Sequence, residues 1–280
     1  MSSGLEFESI HAFELELNET GDEGSGFRTQ NDPSALFQRS NVTERKGAID
    51  IRCTGVDVIH GYLKDGEGPA TLIVYEFQFD TRKKARRIET VDIEFIYGSN
   101  VGKEPEVKKI SHRGRMTLVP TKQTETITKG GEVNAGGDIL GAELGGNWKW
   151  EKAVSREVNS ATTVVGSIDI RGRNYGASNA VSWTLMEDGI TKTGVPAHFR
   201  AAVVLSRKDN EEFHSTFKIR ARVDLISRFS RLFGSKPKDD PILYDPTMPS
   251  TNNLREYDLK SLGEIDLKQL STISFTNHEL

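Results

Sequence analysis

Apolar side chains recur at every second position through most of this chain. Over 5–17 one set reads Leu5, Phe7, Ser9, His11, Phe13, Leu15 and Leu17, with Glu6, Glu8, Glu14 and Glu16 alternating between them. Period two is the signature of a strand with one buried face. By the same signal strands are expected at 48–63, 70–80, 87–97, 106–119, 140–158, 162–171, 180–187, 198–207 and 212–224. Residues 18–46 read as a polar, turn-rich loop with one helical turn around 34–38, and 121–146 as a Thr/Gly-rich stretch. Helical periodicity is almost absent before residue 225. There a short amphipathic basic segment, 225–233, is closed by Gly234. The expected fold is all-β or β-dominated α+β: about ten or eleven mostly antiparallel strands, one short amphipathic helix and an extended C-terminal tail.

Composition narrows the function classes. With 280 residues and 35% hydrophobic side chains, the chain is long and apolar enough for a folded core. A net charge of −4 and a pI near 5.9 argue against a dedicated nucleic-acid binder. Cys53 is alone, so no intrachain disulfide or thiolate metal cluster forms. The six histidines are dispersed, without the i, i+4 spacing of a zinc helix. Gly98-Ser99-Asn100-Val101-Gly102-Lys103 is one residue short of a phosphate loop and reads better as a turn. No catalytic residues and no metal or organic cofactor are expected. The N-terminus lacks the basic and apolar regions of a signal peptide, so a cytoplasmic location is expected.

The run 140–158 is the most unusual piece. Its even positions include Leu140, Ala142, Leu144, Trp148 and Trp150, against Glu143, Asn147, Lys149 and Glu151 at odd ones. Strands average about five or six residues, whereas a membrane-spanning strand needs about 9–11 with an apolar outer face and interfacial aromatics. The hairpin 70–97 offers similar stripes, Ile73, Tyr75 and Phe77 on one strand and Val91, Ile93 and Phe95 on the other. All eleven are candidate membrane-facing residues. Between those two strands lies a basic turn, Arg82, Lys83, Lys84, Arg86 and Arg87. Lys218, Arg220 and Arg222 form a second basic row that runs toward Arg228 and Arg231. Each basic group near an anionic surface contributes on the order of 1 kcal/mol, so these ten are candidate lipid-binding residues.

After residue 233 the character changes. Residues 234–241 read as a linker, and 239–280 carry eight Asp/Glu against three Lys/Arg, a net charge of −5. Leu254, Tyr257, Leu259, Leu262, Ile265, Leu267 and Leu270 give this acidic tail an apolar side with which to dock. The expected organisation is a β-rich core at 1–233, a linker at 234–241 and a tail at 242–280.

This layout of strand-rich core, basic segment, linker and acidic tail resembles the gasdermin-like proteins of filamentous fungi. The resemblance implies a latent pore-former of regulated cell death, held inactive by its tail. It further implies release by a protease cutting near Phe233, Gly234 or Ser235, then passage from cytoplasm to plasma membrane. The implied partners are an anionic phospholipid membrane and further copies of the chain, with no nucleic acid. A β-sandwich module that binds a ligand or protein, or a small-molecule enzyme built on a β-barrel pocket, would share the strand pattern.

Overall fold

The computed structural model describes residues 13–15, 28–46, 49–81, 87–132, 149–223 and 239–275, with the backbone alone at 13–15, 119–132 and 149–160. Its strands are β1 (Phe13–Leu15), β2 (Asn41–Arg45), β3 (Ile49–Tyr62), β4 (Pro69–Thr81), β5 (Ile88–Gly98), β6 (Glu106–Ile110) and β7 (Gly114–Glu132). They continue with β8 (Lys149–Asp169), β9 (Ala180–Met186), β10 (His198–Ser206), β11 (Phe213–Val223), β12 (Ile242–Tyr244) and β13 (Thr272–Ser274). Two 3-10 turns, Leu262–Glu264 and Leu267–Leu270, lie in the tail. The strand-dominated fold matches the expectation from period two. No helix among the described residues is long and apolar enough to cross a membrane. The basic segment 225–233 lies outside the described residues.

Two antiparallel sheets face each other. The first runs β1-β11-β5-β9-β8-β7, with β12 also on β11; the second runs β13-β10-β4-β3-β2, with β6 also on β10. Alternation buries one face of each against the other. Tyr75 of β4 stacks on Phe95 of β5 at 4.0 Å, and Phe77 lies against Phe199 and Phe217. Ile73, Tyr75, Phe77, Val91, Ile93 and Phe95 are all at most 1% exposed in this inter-sheet core. They therefore face the opposing sheet, not a lipid surface, in this fold. A stripe of apolar residues is equally apolar toward protein or hydrocarbon, and the second sheet decides which one it meets.

The second sheet is buried on its other face as well. Ile59, Leu72, Val74, Ala202 and Val204 form a separate cluster closed by Leu262, Leu267 and Leu270 of the tail. This explains the nearly unbroken apolar run 70–75, which suits a strand covered on both sides. The tail is thus a third layer.

The expected single strand at 106–119 is two. Between β6 in the second sheet and β7 in the first, His112 (φ 55°) and Gly114 (φ 81°) take left-handed conformations that turn the chain across the sandwich. Trp183 Nε1 donates to the Ser111 carbonyl at 3.1 Å, and His112 Nε2 lies 3.0 Å from the Arg200 carbonyl. Gly166 of β8 passes directly under this crossing. A Cβ there would stand 2.2 Å from the His112 carbonyl oxygen, so only glycine fits. The strands expected separately at 140–158 and 162–171 are joined, since β8 runs unbroken from Lys149 to Asp169.

Candidate functional site

The first sheet ends in a feature far longer than the sandwich needs. β7 and β8 are 19 and 21 residues long. Only their inner part belongs to the sheet, because β9 backs β8 from Thr163 to Asp169 and no further. Beyond Leu118↔Thr162 a bulge intervenes, and pairing then continues from Thr121↔Ser160 to Glu132↔Lys149. No third strand joins that outer stretch among the described residues. At about 3.3 Å per residue, 121–132 reach about 40 Å. A lone two-stranded ribbon is marginal in water and leaves two unpaired edges. Of the candidate membrane-facing residues here, Trp150 falls within β8 opposite Gly131. Leu140, Ala142, Leu144 and Trp148 lie outside the described residues.

Register places several other elements at the end of the sandwich where this ribbon leaves. Ile88 at the start of β5 pairs with Val223 at the end of β11, and Ile49 pairs with Thr81 at the end of β4. Met186, closing β9, pairs with both Thr90 and Thr163. The end of β4, the start of β5 and the end of β11 thus share this end with the ribbon. Arg82, Lys83, Lys84, Arg86, Arg228 and Arg231 lie outside the described residues. Arg87 is engaged by Glu187 at 3.1 Å and Glu89 at 3.5 Å, which removes it as an uncommitted lipid contact. Lys218, Arg220 and Arg222 stand exposed on the outer face of the first sheet, where Lys218 pairs with Glu94 at 3.5 Å. A cavity of about 420 Å³ opens at the same end, between Phe79, Ile88, Thr162, Val195 and Phe275. Its buried carboxylate, Asp188, accepts from the amides of Ile190 and Thr191, an arrangement that closes a loop.

The tail is attached at two separate places. Asp239 and Asp240 hold the chain around Thr29, Arg39 and Arg45, and β12 then adds to the edge of β11. Its Tyr244 enters the inter-sheet core, 3.0 Å from both Tyr75 and Ser215 hydroxyls. Burial pushes the phenols of Tyr75 and Tyr97 up and that of Tyr244 to about 12, so this hydroxyl cluster stays protonated. Past 245 the chain crosses to the outer face of the second sheet. There Asp57, fully buried, accepts from Thr251, Asn253, Leu254 and Tyr257. Sequence reading passed over Asp57, although a lone carboxylate inside the apolar run 56–59 was a visible signal.

His60 sits beside the first attachment, between Gln38 and Thr71 at 3.0 Å each. Burial first, and then the Arg207 cation, lower its pKa to about 4. An unfolded chain binds this proton near pH 6.5, so stability is lost as pH falls from about 6.5 to 4. The depression corresponds to about 3 kcal/mol. His112 and His214, also lowered by burial, act in the same direction. Urea midpoints at pH 7 and pH 4 are expected to show a drop that shrinks by at least half in His60→Gln. An equal drop in both proteins would remove His60 as its source.

No family model and no curated protein matches the chain. Among the solved structures that match is a pore-forming protein, 9% identical, covering 73% of this chain and 84% of that one at a TM-score of 0.30. Another is the NetB toxin of Clostridium perfringens in its membrane-inserted form, 8% identical, covering 72% of this chain and 86% of that one at a TM-score of 0.26. At such TM-scores neither carries an argument about this chain, and neither bears on the gasdermin-like resemblance.

Proposed function

We propose that this chain is a pore-forming protein whose β7–β8 ribbon supplies the membrane-crossing hairpin. The ribbon's register is the observation that supports this reading. Every outer pair obeys the step set by Glu132↔Lys149. Gly131 pairs with Trp150, and we propose that the same step continues, which would set Val133 opposite Trp148, Ala135 opposite Gly146, Gly137 opposite Leu144 and Ile139 opposite Ala142. The alternate set would be Glu132 with Lys149, Asn134 with Asn147, Gly136 with Gly145 and Asp138 with Glu143, leaving Leu140-Gly141 as a two-residue tip. One set would thus be glycine or apolar throughout, while the other carries Glu132, Asn134, Asp138, Glu143, Asn147 and Lys149, over about ten residues per strand, the length a spanning strand needs. On this reading Leu140 moves from the lipid-facing set to the hairpin tip, and Val133, Ala135 and Ile139 join that set.

The rest of the reading follows from the bilayer as solvent. A single hairpin in hydrocarbon leaves both edges without hydrogen-bond partners, so several copies must close a barrel. The charged pairs Glu125↔Arg156 and Lys129↔Lys152 fall nearer the sandwich, in the part left outside the membrane. The basic residues Arg82, Lys83, Lys84 and Arg86 attract the protein to anionic headgroups, an effect screened beyond about 8 Å at physiological salt. It therefore acts at encounter. The tail is the regulatory element in this reading. Its attachments argue that a protease cutting near Phe233, Gly234 or Ser235 is not enough to release it.

A cysteine scan tests the hairpin, since Cys53 is buried and does not compete for label. With an environment-sensitive dye on single cysteines at 133–139 and 142–148, anionic vesicles are expected to blue-shift Val133, Ala135, Leu144 and Trp148 positions. Asn134, Asp138, Glu143 and Asn147 positions stay water-like. Emission without a two-residue period, or no dye release from the vesicles, would sink the reading.

A further inference from the structure

We propose that residues 247–275 form a strap that opens as one unit about the β12 anchor, with Asp57 as its latch. The proposal concerns the protein alone and stands apart from the pore-forming reading. Its starting point is that the two tail attachments sit on different layers. β12 belongs to the first sheet and carries Tyr244 into the inter-sheet core. The strap runs over the outer face of the second sheet, across the cluster of Ile59, Leu72 and Val74, and ends as the short edge strand β13 on β10, so opening releases that three-residue ladder as well.

A β-bulge aims the latch. Up to Gly55↔Tyr75 the register of β3 on β4 points odd residues of β3 toward the core. It then slips, and Asp57 pairs with Val74 instead of Ile73. Without that slip the carboxylate would enter the inter-sheet core beside Ile73. With it, Asp57 turns to the strap side. There Thr251 Oγ1 donates at 2.8 Å, the Asn253 amide at 2.6 Å, the Leu254 amide at 3.2 Å and the Tyr257 hydroxyl at 2.7 Å. All four donors belong to the strap. With the strap closed, the buried carboxylate is satisfied by strap donors alone, and removing the carboxylate strands four donors under the closed strap at once. That makes closure close to all-or-none.

A second close contact lies farther along. A Cβ at Gly61 would stand 2.3 Å from the Leu259 carbonyl oxygen, which accepts from the Tyr62 amide at 2.7 Å. Bulk at 61 displaces the strap without touching Asp57, which supplies an independent variant.

Hydrogen–deuterium exchange of the full-length protein tests the strap with Asp57→Ala and Gly61→Val. Strap amides such as Asn253, Leu254 and Gly263 are expected to exchange at least tenfold faster in both variants. Amides of the β12–β11 ladder keep their wild-type protection. If strap and ladder lose protection together in both variants, or neither changes, the strap does not open separately and the proposal falls. Should Asp57→Ala fail to fold, Gly61→Val decides alone. Strap opening supports the strap whether or not vesicles release dye, so the two proposals fail separately.

Discussion

A chain in which an Asn-Gly turn replaces residues 119–161 is expected to fold normally and release no dye from anionic vesicles. Leu118 and Thr162 are direct partners in the ladder, so a two-residue turn closes the shortened hairpin without disturbing β9. The outer ribbon has no third strand beside it among the described residues, and it leaves the sandwich instead of packing into it. Its removal is expected to change the free energy of unfolding by no more than about 1 kcal/mol. Release rates, by contrast, fall by at least 100-fold, because the proposed crossing residues 131–150 are removed with the ribbon. A denaturation curve and a dye-release assay on the same preparation separate the two quantities. Undiminished release would show that some other element inserts. Loss of the folded state would show that the ribbon belongs to the sandwich.

Tyr244→Ala is expected to cost about 3–5 kcal/mol, the range for emptying a large aromatic site in a packed core. Tyr244 is 1% exposed and stacks on Phe213 at 4.8 Å. Its hydroxyl links Tyr75 and Ser215, and Tyr75 in turn lies 3.3 Å from Tyr97. Tyr244→Phe keeps the ring and loses the link, which costs about 1–2 kcal/mol. The contrast bears directly on the tail. A chain ending before residue 239 forfeits the whole Tyr244 contribution and uncovers the Ile59, Leu72 and Val74 face as well. Each fully buried aliphatic side chain there is worth about 1.5–3 kcal/mol. Such a truncation is expected to aggregate, and equilibrium unfolding of the two point variants measures how much of that traces to Tyr244. If Tyr244→Ala costs less than about 1 kcal/mol, the tail is not anchored in the core.

Which parts of this were legible from residues alone follows from the range of the forces involved. Period two is a local property, set by the pleat of a single strand. It located β3, β4, β5, β9, β10 and β11 to within one or two residues. It missed β2, β12 and β13, because strands of five, three and three residues offer too few alternations to read. Apolar stripes marked Tyr75 and Phe95 as facing something nonpolar. That the something is the other sheet, at 4.0 Å between their rings, is a matter of packing. The alternation of 140–150 was visible at once. The pairing of 121–132 with 149–160 was not, because register depends on the bulge between Leu118 and Thr121 and on where the two strands meet. The acidic, dockable tail was likewise evident from charge and Leu spacing. Its latch was hidden, since a single extra residue in β3 turns Asp57 from the core to the tail side, and a bulge leaves no mark in composition. Sequence alone determined strand content, the amphipathic alternation of 140–150 and the existence of a dockable tail, all of them properties of short stretches of chain. Only the tertiary structure decided which faces are buried against each other, which register the ribbon keeps and which carboxylate holds the tail, because each depends on contacts between residues far apart in the chain.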